Sequence, residues 1–413
     1  MGAFFYFERR NTMKYSKEEI IQFATEEDVK FIRLAFCDVF GRQKNISIMP
    51  DELERAFDFG ITIDGSAISG FGGEVHSDLL LHPDSDTLCI LPWRPEHGKV
   101  VRMYCSITYP DGKAFECDTR SLLIKAVNEA LNAGYEFRFG AEQEFYLFKL
   151  DDNEEPTDIP YDNATYMDLA PQDKGENIRR EICLILEQMG IRPESSHHEE
   201  GPGQNEIDFR YSDPLTAADN VMTFQTVVNT VAKRNGLYAD FSAKPLEELP
   251  GNGFHINFSV SSERESNIMP ATIAGVLEKA VEMTAFMNPT EKSYERLGNN
   301  KAPKYVSWSG ENRSQLIRIP AAYGEYKRAE LRSPDPSVNP YIAFALIIYA
   351  GLYGIERKLE LPYVADFNLY TADEEKLANF KRLPSSLSEA QDIALESEFI
   401  REHIPAKILE LLK

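Results

Sequence analysis

One pattern constrains this chain more than any other: strands that set ionisable groups opposite an apolar stripe. In 136–148, Phe137, Phe139, Ala141, Phe145 and Leu147 fall on one face, with Glu142 and Glu144 on the other, because side chains two apart share a face. The alternation recurs at 253–260, where His255, Asn257 and Ser259 oppose Phe254, Ile256 and Phe258. At 328–332, Arg328, Glu330 and Arg332 share one face. Neighbouring carboxylates repel unless a cation joins them. A sheet is therefore expected with one face on a core and the other holding charge. A fourth segment, His197-His198-Glu199-Glu200-Gly201-Pro202-Gly203-Gln204-Asn205-Glu206, brings Glu199 and Glu206 together across a Gly-Pro-Gly turn. Carboxylates with one imidazole suit Mg²⁺ or Mn²⁺, and arginines beside them suit phosphate and carboxylate groups. The His197-His198 pair itself reads either as part of a zinc set or as loop.

Around these strands the chain divides in two. A helix is expected at 16–24 with Ser16 as N-cap, followed by strands at 30–36 and 42–48. The Pro110-Asp111-Gly112 turn and the Asp118-Thr119-Arg120 helix start mark a boundary. We expect an extension at 1–14, a small β-rich domain at 15–110 and a larger α/β domain at 111–413. Helices are predicted at 120–133, 175–188, 217–235, 271–286 and 340–357. The last is apolar nearly all round, with Asn339 as N-cap and Pro340 at its first position, as befits a buried core helix. After Leu361 a loop is followed by helices at 388–397 and 405–412.

Composition narrows the partners. Lys and Arg number 44 against 67 Asp and Glu, a formal charge of −23. That argues against nucleic acid or an anionic membrane surface, which reward clustered cations. The longest apolar run, 341–355, is shorter than the ~18 residues of a membrane span. The first residues lack a basic leader and a small-residue cleavage site, so no signal peptide is read there. Five cysteines without a CxxC pair point to a reducing cytoplasm rather than to a disulfide framework. The Gly-rich stretch at 65–73 has neither phosphate-loop spacing.

The sequence resembles the glutamine synthetase family, type I, along nearly all its length after residue 14. The resemblance is carried by Asp64-Gly65-Ser66, Gly140-Ala141-Glu142-Gln143-Glu144-Phe145, 196–207, Lys244-Pro245, 253–260, Asn312-Arg313-Ser314, Ile317-Arg318-Ile319-Pro320 and 328–340. It implies an α+β fold: a small β-grasp-like N-terminal domain and a larger catalytic domain whose curved, mainly antiparallel sheet forms an active-site funnel. It implies an ATP-dependent ligase of L-glutamate, with two divalent metals (Mg²⁺ or Mn²⁺) per site between subunits of a double-ring dodecamer. One metal would be held by Glu144, Glu199 and Glu206, the other by Glu142, His255 and Glu330. Arg318, Arg328, Ser259 and Asn257 would meet ATP. Arg296, Arg332 and the backbone of Gly251 would hold glutamate. Arg313 would sit at the transferring phosphoryl group, and Asp64 would reach into the neighbouring subunit's site.

The departures from the family pattern concern the amine. The flap, Arg296-Leu297-Gly298-Asn299-Asn300-Lys301-Ala302-Pro303, is one residue short and carries Lys301 where the family has a glutamate that helps bind and deprotonate ammonium. Ala67 stands for a serine, and Pro250-Gly251-Asn252-Gly253 for Asn-Gly-Ser-Gly. Asp64, Tyr166 and Glu199 remain from the ammonium site. At an effective dielectric of ~20, two like charges ~4 Å apart cost about 4 kcal/mol, so Lys301 either opposes ammonium or points to solvent. Three readings follow: ammonia as default acceptor with glutamine as product, a larger monoamine or polyamine as acceptor, or a catalytically weak regulatory paralogue. Tyr370 lies in a stretch resembling a loop that some members adenylylate, but its flanks depart from that pattern and no modification is expected.

Overall fold

The computed structural model describes residues 15–94, 97–321 and 327–413; the expected extension at 1–14 lies outside them. The chain forms two compact units, one ending at Ser121 and one from Leu122 to Lys413. The expected boundary at 110 falls inside the first unit. The turn there folds back, with Phe115 N–H donating to Ile107 O (3.1 Å) and Ile107 N–H to the buried Asp118 carboxylate (2.9 Å). That carboxylate also takes the Arg120 N–H (3.1 Å) at the start of the next helix, so strand and helix start share one cap.

The first unit is the β-grasp-like domain. Its strands are β1 (Val29–Cys37), β2 (Gln43–Ile48), β3 (Ile61–Asp64), β4 (Asp78–Pro83), β5 (Cys89–Ile90) and β6 (Lys99–Thr108), in the order β2-β1-β6-β4-β3 with β5 on β6. β1 and β6 run parallel; the other pairs are antiparallel. The first helix, Lys17–Glu26, has the expected Ser16 cap, with Glu19 closing the reciprocal capping box.

In the second unit the strands are β7 (Glu136–Leu150), β8 (Pro156–Pro160), β9 (Pro193–His198), β10 (Gln204–Ser212), β11 (Leu237–Asp240), β12 (Phe254–Ser261), β13 (Trp308–Ser309), β14 (Ile317–Arg318) and β15 (Ala329–Leu331). They make a curved nine-stranded sheet in the order β13-β14-β15-β12-β7-β10-β9, with β8 and β11 also on β7. Within this sheet only β13 and β14 pair in parallel among its described strands. The apolar stripe of β7 faces helices. Phe139 stacks on Phe344 at 4.4 Å, and Phe145 meets Phe224 edge-on at 6.1 Å. Phe344 belongs to the expected core helix, Pro340–Glu356, capped by Asn339 and buried along nearly its whole length. Phe224 belongs to Pro214–Arg234. Each buried aromatic contributes about 2–3 kcal/mol of transfer free energy, which commits the opposite face of β7 to the polar site.

Candidate active site

Antiparallel register assembles the first cluster. His255 on β12 lies opposite Glu142 on β7, and Asn257 lies opposite Glu330 on β15. His255 Nδ1 is 3.3 Å from Glu142 and 3.5 Å from Glu330, so Glu142, His255 and Glu330 converge with ligand atoms within 4.8 Å of one another. Burial first, then Arg332, holds the His255 imidazole well below its ordinary pKa, which keeps it in the neutral form that ligates metals. Glu330 takes hydrogen bonds from Arg318 Nη1 (2.8 Å) and from Arg332 Nη1. Arg328 Nε donates instead to Asn257 Oδ1 (2.9 Å), whose amide nitrogen donates to Glu142 (2.7 Å).

The second cluster is built by the β9–β10 hairpin. Gly203 holds φ +70°, and a Cβ on Gly201 would fall 2.0 Å from the Tyr146 hydroxyl, so this turn needs glycine on both sides of Pro202. Glu199 and Glu206 converge with His197, whose Nε2 is 3.0 Å from Glu199. Glu144, expected to complete this set, stands beside it. Its carboxylate accepts from Gly253 N–H (2.8 Å) and Gln204 Nε2 (3.0 Å). Burial, then the nearby Glu199, push its carboxyl up to about 7. Burial and neighbouring carboxylates likewise raise Glu206 well above its ordinary range, and Asp208 to about 7. Asp208 is two residues past Glu206, opposite Glu142, and forms a third group with both. Buried carboxylates that raise one another lack positive charge, and the donor set of oxygens with one imidazole per cluster fits Mg²⁺ or Mn²⁺.

Beside the first cluster opens a cavity of about 480 Å³ lined by Glu142, Asn257, Ser259 and Arg328, and also by Arg138, Asp208, Tyr211 and Lys327. Arg318 does not line it and donates to Glu330. Arg296 is buried and donates to Ser333 O (2.8 Å) and Arg332 O (3.3 Å). Gly251 O accepts from Gln204 Nε2 (3.2 Å). Arg313 is exposed. Asp64, in the first unit, is exposed at the end of β3 and accepts from the Ser66 N–H and hydroxyl (2.9 and 2.6 Å).

At the flap, Lys301 pairs with a carboxylate while half its side chain stays exposed. Lys301, in a left-handed backbone conformation (φ +68°), forms an ion pair with Glu200 and lies 5.8 Å from the Tyr166 ring. Tyr166 in turn stands edge-on to His197 at 5.3 Å. From the other side the Tyr370 hydroxyl donates to Ala302 O (2.9 Å).

With this geometry in place, comparison with known proteins is decisive. Residues 116–411 match "Glutamine synthetase, catalytic domain" and residues 28–110 match "Glutamine synthetase, beta-Grasp domain". The chain belongs to the glutamine synthetase family. Glutamine synthetases of Clostridium saccharobutylicum and of Staphylococcus aureus (strain Mu50) are each 44% identical over 404 residues, covering 94% of this chain and 91% of theirs. Among solved structures, GmaS in complex with ADP aligns with a TM-score of 0.86 at 26% identity, over 95% of this chain and 93% of that one. The Plasmodium falciparum glutamine synthetase aligns with a TM-score of 0.83 at 21% identity, over 97% and 96%, and shares the fold. The protein is accordingly a glutamine synthetase-type ligase, of a family that joins ATP-dependent activation to glutamate amidation.

Several residues of this site are not fully legible from the sequence alone. Asp208 carried a usable signal, since it shares a strand face with Glu206. His197 was legible only as one of two alternatives. Glu200 carried none: its partner lies a hundred residues away on the flap.

Proposed function

We propose that the protein activates the γ-carboxylate of L-glutamate as an acyl phosphate at the expense of ATP and amidates it, with ammonia as default acceptor and glutamine as product. The observation that carries this is the convergence of Glu142, His255 and Glu330, flanked by Arg318 and Arg332, at the rim of a cavity lined by Asn257, Ser259 and Arg328. Glu142, His255 and Glu330 would hold one divalent ion; Glu199 and Glu206, with Glu144, the other. Bound there, the ions supply charge neutralisation between two anionic reactants. Asn257, Ser259 and Arg328 orient the nucleotide, with Arg318 reaching the phosphates once released from Glu330. Arg296, Arg332 and Gly251 hold glutamate. Arg313, which is exposed, meets the spreading phosphoryl charge. Glu199 with Asp64 of a neighbouring copy takes the amine's proton, in an intersubunit dodecamer of two hexameric rings working in the cytoplasm.

A second reading, a larger amine as acceptor, is favoured by one observation. The flap presents an ammonium group, Lys301, to Glu200 and Tyr166, where the family pattern has a carboxylate. A solved structural neighbour, GmaS, is a γ-glutamylmethylamide synthetase.

Steady-state phosphate release with glutamate, ATP and Mg²⁺ or Mn²⁺ separates these readings. Saturation by ammonium supports the first. Saturation by a monoamine or polyamine with ammonium inert replaces it with the second. Background release with every amine would leave a regulatory paralogue.

A further inference from the structure

Behind the β9–β10 hairpin lies a buried charge network outside the reacting groups. His198 is fully buried. Its Nε2 lies 2.9 Å from Asp162 Oδ1 and its Nδ1 2.7 Å from Glu199 O. Both partners are acceptors only, so both ring nitrogens carry hydrogen and the ring is an imidazolium. Asp162 Oδ1 also accepts the Gly203 N–H (3.0 Å), and Oδ2 the Lys174 N–H (3.0 Å). One carboxylate therefore grips the end of β9 and the start of β10, on either side of the turn. A second layer backs it. Arg179 donates to both oxygens of Asp173 (3.2 and 2.5 Å) and to Asn205 Oδ1 (2.6 Å), while Asn205 Nδ2 donates to Gly203 O (2.9 Å). Asp162, Asp173 and His198 are close enough to be taken for a metal site. Their ligand atoms, however, are already engaged by hydrogen-bond donors or acceptors, and the charges of Asp162, His198, Arg179 and Asp173 sum to zero.

We propose that Asp162, His198, Arg179 and Asp173 are positioning residues that fix the hairpin so that Glu199 and Glu206 present their carboxylates to one divalent ion. The physical reason is geometric. Glu199 follows His198 directly, and Glu206 follows Asn205, so each acidic residue is the chain neighbour of a residue clamped from below. Between them lies a Gly-Pro-Gly turn closed by its own hydrogen bonds, Glu199 N–H to Gln204 O and Gly201 N–H to Gln204 Oε1 (both 2.9 Å). Mutually repelling carboxylates in the metal-free protein are held more firmly by a scaffold that adds to the hairpin's own hydrogen bonds. The buried ionic hydrogen bonds supply one, because breaking them strands a charge. Partners of this kind typically change metal affinity ten- to hundredfold.

The inference rests on the reading that Glu199 and Glu206 hold a divalent ion, and its test needs no turnover. Mn²⁺ is titrated into the metal-free full-length protein and free Mn²⁺ is followed by electron paramagnetic resonance; amide hydrogen exchange across 199–206 is measured in parallel. For Asp162→Asn, one class of Mn²⁺ sites should weaken ten- to hundredfold while the other, at Glu142, His255 and Glu330, keeps its affinity, and exchange should rise. Arg179→Lys keeps the charge but loses the fork, and should weaken the same class less. It carries the test alone if Asp162→Asn does not fold. Wild-type affinities and exchange in the folded variants would overturn the proposal, as would equal weakening of both classes. Failure of the wild-type protein to bind Mn²⁺ at all would instead overturn the reading of the site.

Discussion

Glu330 takes a guanidinium from each of two strands, Arg318 on β14 and Arg332 just past β15, and is itself 1% exposed. Removing its carboxylate strands buried positive charge and takes one ligand from the His255 cluster. Glu330→Ala is expected to abolish phosphoryl transfer and to cost roughly 3–5 kcal/mol of stability, as broken buried pairs do. Phosphate release and urea unfolding check both; near-normal turnover would contradict the site. At the flap, Lys301→Glu alone would set two carboxylates against each other at Glu200. The informative variant is Lys301→Glu with Glu200→Gln, which restores an anion without the repulsion. Its kcat/KM for ammonium should rise about tenfold, on the order of 1.4 kcal/mol. Unchanged kinetics would show that the flap cation does not face the amine.

At the scale of elements, the β9–β10 hairpin and the helix Pro340–Glu356 have different tolerances. Gly201→Ala places a methyl 2.0 Å from the Tyr146 hydroxyl, which itself donates to Pro250 O (2.7 Å). Overpacking of this kind costs about 1–3 kcal/mol. Because the strain falls on the turn between Glu199 and Glu206, Mn²⁺ affinity should drop along with the thermal midpoint; loss of stability with intact Mn²⁺ binding would separate the turn from the site. Phe344→Ala removes the ring stacked on Phe139 and should cost about 3–5 kcal/mol, read as a lower urea midpoint. The long elements were legible because their periodicity is strong. The helix expected at 340–357 spans Pro340–Glu356 with the expected cap, and the strand expected at 136–148 spans Glu136–Leu150. The C-terminal pattern was less so: the helix expected at 388–397 is followed by a second, Glu398–His403, restarted by Ser397 as N-cap.

For the whole molecule, the buried network sets an acid limit. Burial raises the Asp162 carboxyl, but the His198 hydrogen bond and charge and the N–H groups of Gly203 and Lys174 outweigh it, holding it at about 2. A carboxyl depressed in the folded state contributes stability that is fully present above its ordinary value near 3.8 and is lost as pH falls towards 2. His198, raised by Asp162 and the Glu199 carbonyl against its own burial, contributes below its ordinary 6.5 and loses that contribution as pH rises through its folded value. Asp173 and Arg179 face the same pair and are neutralised by each other. Thermal midpoints between pH 4 and pH 2 should therefore fall less steeply in Asp162→Asn than in the wild-type protein; parallel curves would contradict this linkage. Assembly is testable at the same scale: sedimentation velocity should show a dodecamer, and a stable monomer with full activity would refute intersubunit sites.

The sequence by itself determined the alternating strands, the capped core helix and the family, because these are written in spacing along one short stretch of chain. It also named Glu142, His255 and Glu330, which share strand faces that register then aligned. Only the tertiary structure decided that His197 stands with Glu199 and Glu206, that Asp208 joins Glu142, that Glu200 meets Lys301, and that Asp162 reaches both arms of the hairpin. Each of these meetings joins separate segments or separate strands. Local period carries no information on which distant side chains a curved sheet brings within a hydrogen bond of one another.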